Sequence, residues 1–376
     1  MEEVPSPIRI LHVTFNMGIG GTEQVIRQLV MGLPADEYIN HVVCIDGHVG
    51  EIGQQLERQA IQVSSLKRSP GIDRNLVKGL KEKIRTLGID IVHCHQYTPW
   101  FYGWLAARGT GTPLIFTEHG RFHPDTYRYK ALAVNPVMAL STSALVAISD
   151  ATRSALSRYE FIPKSLIQVL YNGVQAISSD SDAVQSLKHQ LGIPEGDFVM
   201  GTVARLDPVK NQQMMLKGFA RTLAEYPDSW MLIVGDGPVR RQLEDLSRGL
   251  DITERVIFTG FQSEPANYMA AMDLFLLTSF TEGTSMTLLE SMSLGIPAIA
   301  TDVGGNSEIV APEVSGVLVP SDDADALARS IDRLRKDPAL MARLQQGSRQ
   351  RFDERFSVTN MVSAYRDIYL HNLRRR

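Results

Sequence analysis

The chain has 376 residues, of which 44% are hydrophobic and 21% charged, so it is too long for one ordinary core and too apolar to be disordered. Its formal net charge of −4 lacks the basic excess typical of nucleic-acid-binding proteins. No uncharged apolar run reaches about 18 residues, and no basic segment precedes an apolar core at the start, so we predict a cytoplasmic protein without a signal peptide or a membrane span.

Short β-branched runs alternate with helical segments through the first half of the chain. The alternation begins with an apolar run at 8–15, a glycine-rich turn and a helical pattern. Such runs, each followed by a helix, indicate a parallel sheet with helices on both faces. Cys44 and Cys94 lie in two of the runs and are interpreted as buried free thiols. Further strands are predicted at 41–46, 89–95, 113–119, 144–149 and 167–173.

A polar stretch at 176–190 separates this half from a second unit of the same kind. We therefore predict two Rossmann-like α/β domains, 1–175 and 190–355, followed by a helical segment at 356–376. The second domain is expected to contain strands at 198–206, 230–237, 255–261, 273–279, 297–302 and 315–320.

In doubly wound sheets ligands bind at the carboxyl ends of the strands, so the loops that follow strands are the places to search. The loop containing Gly18, Gly20 and Gly21 is typical of a phosphate-binding turn before a helix. A tight turn that needs positive φ is an equally good interpretation. The loop fails the dinucleotide fingerprint because Glu23 occupies the last glycine position, and no Walker lysine follows.

Cations and histidines supply further candidates. Arg205 and Lys210 follow a predicted strand and could converge on one dianion, although two solvated surface cations would look the same. His119 ends a strand of the first domain and is either a ligand contact or a structural residue. His93 and His95 have no third ligand at a suitable spacing, so we reject a zinc site there.

Three acidic or glycine-containing strings fit structural roles as well as functional ones. The glycine turn at 235–238 could serve as scaffold alone. Two Asp-x-Asp strings, at 180–182 and 323–325, are interpreted as a polar linker and a helix cap rather than as metal ligands. We therefore predict no metal.

The strongest signal is the segment from Phe280 to Glu308. A strand leads into Glu282, a helix is expected to begin near Thr284 or Ser285, and Glu290 lies about two turns inside it. The positive end of the helix suits a diphosphate, whereas the two carboxylates suit hydroxyl groups. A ligand with hydroxyls on both sides of a diphosphate is a nucleotide sugar.

Together these motifs resemble the family 4 glycosyltransferases, which are retaining enzymes of the GT-B fold that use nucleotide-sugar donors. The resemblance covers roughly residues 8–370 and includes several motifs in the family's order. It implies two domains facing across a cleft, with the C-terminal helix crossing back to the first domain. The matching motifs are the Glu282/Glu290 pair, the Arg205/Lys210 pair, the glycine loop 18–24, His119 within 117–120, and the strand end 171–174.

The resemblance also implies residue roles. Glu290 would bind the ribose hydroxyls, and Glu282 and His119 would contact the transferred sugar. Arg205 and Lys210 would neutralise the leaving diphosphate. Further donor contacts would come from Gly20, Gly21 and the backbone of Gly283, Thr284, Ser285 and Met286. The chain departs from the family at Gln24, Gln175 and the run 284–286, which leaves the identity of the donor sugar open.

The predicted function is a metal-independent, retaining glycosyltransferase without a cofactor, with a UDP-sugar favoured as donor. The acceptor would be a saccharide or a lipid-linked sugar in bacterial exopolysaccharide or lipopolysaccharide synthesis. Loop residues Asn16, His95, Tyr97 and the stretch 121–130 are candidate acceptor contacts. Alternatives are a nucleotide-sugar 2-epimerase of the same fold, a non-catalytic nucleotide-sugar-binding protein, and, least favoured, a dinucleotide oxidoreductase.

A basic region suggests contact with the inner face of the membrane, although a solvated helix face is an equal interpretation. It comprises Lys67, Arg68, Arg74, Lys78, Lys81, Lys83 and Arg85.

Overall fold

The computed structural model describes residues 6–120 and 127–374, with Lys130 described by its backbone alone. The chain divides into two compact units. Unit 1 contains the described residues up to Val174 and those from Val358 onward, and unit 2 comprises Gln175–Ser357. The polar stretch 176–190 contains a helix and belongs to unit 2.

Unit 1 is built on a parallel sheet, which in its described part has seven strands in the order β3-β2-β1-β4-β5-β6-β7. Six of the strands lie where the sequence predicts them. β3 was missed because it is four residues long and only Val63 in it is buried. The strands are β1 (Ile8–Thr14), β2 (Tyr38–Cys44), β3 (Gln62–Ser65), β4 (Ile91–His95), β5 (Leu114–Glu118), β6 (Ala144–Ala147) and β7 (Ile167–Val169).

Helices cover both faces of this sheet because its strands are apolar on both sides. One core contains residues of the third to sixth helices, such as Leu80, Trp100 and Met138. The other contains residues of the first two, such as Ile26 and Ile52. The helices are α1 (Gly21–Gly32), α2 (Glu51–Arg58), α3 (Arg74–Thr86), α4 (Tyr97–Ala107), α5 (Val134–Leu140) and α6 (Asp150–Glu160).

Unit 2 repeats the architecture, with strand order β10-β9-β8-β11-β12-β13 in a parallel sheet. All its strands lie within or next to the predicted runs. They are β8 (Phe198–Val203), β9 (Ser229–Val234), β10 (Val256–Gly260), β11 (Leu274–Leu277), β12 (Ala298–Thr301) and β13 (Gly316–Val319). The helices are α7 (Ser181–Gln190), α8 (Gln212–Glu225), α9 (Arg240–Gly249), α10 (Ala266–Ala270), α11 (Met286–Ser293), α12 (Asn306–Ile309), α13 (Ala324–Lys336) and α14 (Pro338–Arg355).

The last helix, α15 (Val358–Leu373), follows unit 2 in the chain but belongs to unit 1. It packs against α1, where Gly32 leaves room for Val362: a Cβ at Gly32 would lie 2.6 Å from a Val362 methyl carbon. Tyr365 and Tyr369 are buried on the sheet face. The predicted fold class, two doubly wound α/β units with a returning C-terminal helix, is therefore confirmed.

Both sheets reverse their strand order once, between β1 and β4 in unit 1 and between β8 and β11 in unit 2. Loops at the carboxyl ends of these strands form the crevices in which doubly wound folds bind ligands. Cys44 and Cys94 are buried and free, as predicted. Within the described ranges, no helix combines the length and hydropathy needed to cross a bilayer.

Candidate active site

In unit 2 the crevice between β8 and β11 brings Lys210 and Glu282 together. The Lys210 Nζ atom lies 2.6 Å from Glu282 Oε1, and the Ser279 hydroxyl donates to the same oxygen at 2.6 Å. The two charged side chains are only 25% and 9% exposed. Water and salt therefore screen this ion pair less than they screen a surface pair. The structure joins two residues to which the resemblance assigns different parts of one ligand.

Backbone contacts fix the loop that carries Lys210. The Thr278 hydroxyl, at the end of β11, donates to the carbonyl oxygens of Lys210 at 3.1 Å and Asn211 at 2.9 Å. The amide of Phe280 donates to the Val209 carbonyl at 2.8 Å. Asn211 has a left-handed backbone with φ of +46° and caps α8 by accepting from Met214. The lysine therefore extends from a clamped loop.

A diglycine turn after β12 supports Glu282 from behind. The Gly305 amide donates to the Glu282 carbonyl at 3.1 Å. Gly304 has φ of +53°, and a Cβ there would lie only 1.9 Å from that carbonyl oxygen. Both the backbone conformation and the space therefore require glycine at 304.

Helix α11 begins one to two residues later than predicted, at Met286, with Ser285 as its N-cap. The Ser285 hydroxyl accepts from the Leu288 amide at 3.3 Å. Leu288, Leu289 and Met292 are buried. The N-terminal end of this helix, next to Glu282 in the chain, carries partial positive charge and amide donors suited to an anion.

Glu290 lies in the second turn of α11 and is only partly accessible. Burial raises the pKa of its carboxyl group to about 7, because removal from water disfavours the charged form. No ion pair joins Glu290 to another of the described residues. A ligand that donates hydroxyl hydrogen bonds to this carboxyl group would favour its ionised form.

Arg205 lies apart from the Lys210–Glu282 pair in its recorded contacts. Its side chain is 70% exposed, and its guanidinium lies 2.8 Å from an Asp207 carboxylate oxygen. The neighbouring glycine turn serves as scaffold for this loop, because Cβ atoms at Gly235 and Gly237 would lie 2.0 and 2.2 Å from the carbonyl oxygens of Ala204 and Leu206.

Both Asp-x-Asp strings are helix caps. Asp180 caps α7 by accepting from the Asp182 amide, and Asp323 caps α13 by accepting from the Ala326 amide. The first string therefore belongs to a helix start rather than to an extended linker.

In unit 1 the glycine loop leads directly into α1. Gly20 is the N-cap with an extended backbone, φ −170°, and Gly21 is the first helical residue. A Cβ at Gly20 would lie 2.3 Å from a carboxylate oxygen of Glu23. The Glu23 carboxylate is the end of a flexible side chain and can move, and φ is extended, so neither space nor positive φ requires glycine at 20.

His119 lies just beyond β5 and continues a group of buried histidines. Its Nε2 atom lies 2.9 Å from His95 Nδ1. The sequence suggested no third ligand beside His93 and His95, but the structure brings His12 of β1 next to them. All six ring nitrogens of His12, His93 and His95 have hydrogen-bond partners. These partners already occupy the positions through which the rings would bind a metal.

Two of the candidate acceptor contacts, Asn16 and Tyr97, already form hydrogen bonds with other side chains of the protein. Asn16 donates to Asp46 at 2.8 Å, and the Tyr97 hydroxyl donates to Asn135 at 2.6 Å. The part of the predicted stretch 121–130 that covers 121–126 lies outside the described residues.

Comparison with known proteins decides the family. The family described as glycosyl transferases group 1 matches residues 183–351, and glycosyltransferase family 4 matches residues 19–176. A glycosyltransferase of Bacillus subtilis, EpsD, is 30% identical over 80% of this chain and 83% of its own length. The chain belongs to the group 1, family 4 glycosyltransferases. It is an enzyme of the GT-B type that acts on nucleotide-sugar donors.

Two further comparisons span nearly the whole glycosyltransferase. The UDP-Gal:α-D-GlcNAc-diphosphoundecaprenol α-1,3-galactosyltransferase of Escherichia coli is 26% identical over 98% of both chains. The crystal structure of HepE from Anabaena in complex with UDP has a TM-score of 0.85, covering 96% of this chain and 98% of that one, at 23% identity. The similarity to HepE shows that the two proteins share a fold.

Sequence reasoning missed several residues that hold the site of this glycosyltransferase. Ser279, which ends a predicted strand three residues before Glu282, could have been found by its position. Gly304 is part of a diglycine after a strand, which is a usable turn signal. His12 and Asn40 gave no signal, because their neighbours in space are distant in the chain.

We predict that Gly304→Ala destabilises unit 2 and weakens binding of the donor nucleotide, because the new methyl group meets the Glu282 carbonyl and alanine disfavours positive φ. The expected loss is about 2 kcal/mol or more in the free energy of unfolding, measured by denaturant titration. Gly249→Ala, at the end of α9 with open space around it, is the matched control. Equal stability of the two variants would contradict the supporting role of Gly304.

We also predict that the affinity for the donor nucleotide rises with pH as Glu290 ionises. With a pKa near 7, about one tenth of the ligand-free protein is ionised at pH 6, so binding at pH 6 should be about tenfold weaker than at pH 8. Calorimetry in two buffers should detect proton release at pH 6. Glu290→Gln removes the titration of this carboxyl group, so that only the titration of the nucleotide's phosphate remains. An equal pH dependence in the variant would assign the whole effect to the nucleotide.

Proposed function

We propose that this glycosyltransferase is a retaining, metal-independent enzyme that transfers a sugar from a UDP-sugar to a saccharide or lipid-linked acceptor. Its pathway would be bacterial exopolysaccharide or lipopolysaccharide synthesis. The ion pair between Lys210 and Glu282, at the crevice of unit 2, is the observation that carries the proposal.

The pair suggests how donor binding prepares the site. A diphosphate carries more negative charge than a carboxylate, so it competes with Glu282 for the Lys210 ammonium group. Once Lys210 turns to the phosphate, Glu282 becomes an acceptor for sugar hydroxyls, and Ser279 still orients it. The same exchange places a cation where negative charge develops as the sugar–phosphate bond breaks.

Metal independence rests on charges that the chain itself supplies. Lys210, Arg205 and the N-terminus of α11 can together offset the leaving diphosphate. The two Asp-x-Asp strings, which could otherwise have held a divalent ion, cap helices.

Retention is proposed to proceed by attack on the face of the sugar from which the phosphate leaves. A double displacement needs a carboxylate nucleophile and a second carboxyl group about 5 Å away. In the present proposal Glu282, oriented by Ser279, accepts hydrogen bonds from sugar hydroxyls and does not act as that nucleophile. The departing phosphate would instead help to remove the proton from the acceptor hydroxyl.

The choice of UDP and of a lipid-linked acceptor draws on relatives. The E. coli relative uses UDP-Gal and a diphosphoundecaprenol-linked acceptor according to its name, and HepE was crystallised with UDP. The basic region supports an acceptor at an anionic surface: Lys67, Arg68, Arg74, Lys78 and Arg85 are exposed. Ile72, between them, is 71% exposed.

We predict that UDP, but not GDP or ADP, stabilises the protein equally in Mg²⁺ and in EDTA. At about 100 times its Kd, UDP should add roughly 2.7 kcal/mol to the free energy of unfolding. Lys210→Gln and Glu290→Ala should lose most of this, whereas Lys217→Gln, an exposed lysine of unit 2, should not. A requirement for Mg²⁺ would refute metal independence. Selective stabilisation by GDP or ADP would refute the proposal that the nucleobase of the donor is uracil.

Turnover separates the enzyme classes. We expect transfer from UDP-glucose, UDP-galactose or UDP-N-acetylglucosamine to a diphosphoundecaprenol-linked sugar, with an α-linked product visible in the NMR coupling of the anomeric proton. An inverted product would contradict retention. A 2-epimer without an acceptor would favour the epimerase alternative, and tight binding of the nucleotide sugars without turnover would favour the binding protein.

We further predict that unit 1 binds vesicles containing anionic lipid. Each basic residue near such a surface contributes about 1 kcal/mol, so the triple variant Arg74→Gln, Lys78→Gln, Arg85→Gln should lose about 100-fold in partitioning, measured by sedimentation. Lys217→Gln, Arg329→Gln, Arg343→Gln removes the same charge from unit 2 and is the control. Unchanged sedimentation of the first triple variant would count against the membrane contact.

A further inference from the structure

A line of hydrogen bonds crosses unit 1 from Asn40 to His119. The Asn40 Oδ1 atom lies 3.1 Å from His12 Nε2, and His12 Nδ1 lies 3.1 Å from His95 Nε2. His95 Nδ1 then lies 2.9 Å from His119 Nε2. The line therefore spans three neighbouring strands, β2, β1 and β4, and ends just beyond β5.

The direction of every bond in this line follows from its buried end. The Asn40 amide nitrogen donates to the Val30 carbonyl at 3.2 Å, so the amide oxygen must face His12. His12 Nε2 therefore carries a proton and donates. A neutral imidazole has a single N–H group, so His12 Nδ1 accepts from His95 Nε2, and His95 Nδ1 accepts from His119 Nε2.

This assignment requires neutral rings, and their surroundings supply that condition. Burial lowers the pKa of His12 to about 4 and that of His119 to about 3, and it holds the pKa of His95 well below its usual value. A charged ring in the line would also present two donors and oppose one of its neighbours.

The line leaves one atom without a protein partner. His119 Nδ1 is buried and has no hydrogen-bond partner in the described structure. In the assigned tautomer it holds a lone pair and no proton. Because an unsatisfied buried acceptor is costly, its natural complement is a donor brought by a ligand.

We propose that Asn40, His12 and His95 are positioning residues that hold His119 as its Nε2–H tautomer, so that its Nδ1 atom accepts a hydrogen bond from a sugar hydroxyl. A hydroxyl that donates to His119 keeps its own lone pairs for other donors. An oxygen that is methylated has no proton to donate, so the site discriminates against a sugar methylated at this position. The identity of the ligand as a sugar rests on the proposed function, whereas the tautomer does not.

A second group of buried contacts provides an internal control. His93 bonds to the Tyr369 hydroxyl and to the Thr117 hydroxyl, both at 2.8 Å, and not to the rings of the line. His93→Gln therefore removes a buried imidazole from the same sheet face while leaving the direction of the line unchanged.

The tautomer can be read directly by NMR of protein labelled with ¹⁵N-histidine at pH 7.5, with His119 assigned by substitution. We expect a protonated Nε2 and an unprotonated Nδ1 on His119. Doubly protonated His119, or a proton on Nδ1, would overturn the proposal. So would a shift of the His12, His93 and His95 signals on addition of Zn²⁺, because a bound metal would displace the line.

Variants at His12 test action at a distance, since His12 does not touch His119. Glutamine offers one donor and one acceptor, so His12→Gln should keep the His119 tautomer, as should His93→Gln. His12→Leu and Asn40→Leu remove the groups that fix the direction of the hydrogen bonds, so His119 should become a mixture of its two neutral tautomers. An unmixed tautomer in both folded leucine variants would overturn the proposal.

Donor hydrolysis provides the functional readout. For whichever of the three UDP-sugars the wild type hydrolyses, kcat/KM should fall about tenfold in the leucine variants and be restored in His12→Gln. The affinity for UDP alone should not change. Equal hydrolysis in His12→Leu and His12→Gln would refute the positioning role. If the wild type neither binds UDP nor hydrolyses these donors, the proposed function is refuted. The NMR spectrum would still show whether the line of hydrogen bonds fixes the tautomer of His119.

Discussion

All strands of a parallel sheet end at the same edge, and this constraint places most of the functional side chains of the protein. Each unit reverses its strand order once, so the loops beside the reversal diverge and leave a crevice. Lys210 and Glu282 follow the two central strands of unit 2, and His95 and His119 end two neighbouring strands of unit 1. Helices cover both faces of these sheets, so a ligand can reach them at the strand ends.

The two units solve the problem of buried polarity in opposite ways. Unit 2 pairs a cation with a carboxylate in a partly sheltered place, so the site holds charge ready to be redistributed when an anion arrives. Unit 1 contains neutral rings that satisfy one another, and it ends on one unsatisfied nitrogen. The first arrangement suits a diphosphate, whereas the second suits an uncharged hydroxyl.

Local patterns allowed most of the fold to be predicted, because apolar runs and glycine turns are properties of neighbouring residues. The same holds for Glu282, Glu290 and Lys210, whose positions relative to strand ends are visible in the sequence. Asn40 and His12 could not be found in this way. They meet only because β1 pairs with β2 in one particular register, and a single sequence does not reveal that register. Helix α7 was missed for another reason: most of its residues are polar and none is buried.

The return of α15 to unit 1 has a consequence for synthesis on the ribosome. Tyr365 and Tyr369 hydrogen-bond to Thr117 and His93, which are translated some 250 residues earlier. Unit 2 is translated completely before these tyrosines leave the exit tunnel. Until then His93 and Thr117 of the nascent first unit lack these hydrogen-bond partners, and α15 supplies them only after unit 2 has been made. A stop codon in place of Tyr365 would remove both tyrosines and leave His93 and Thr117 without these partners.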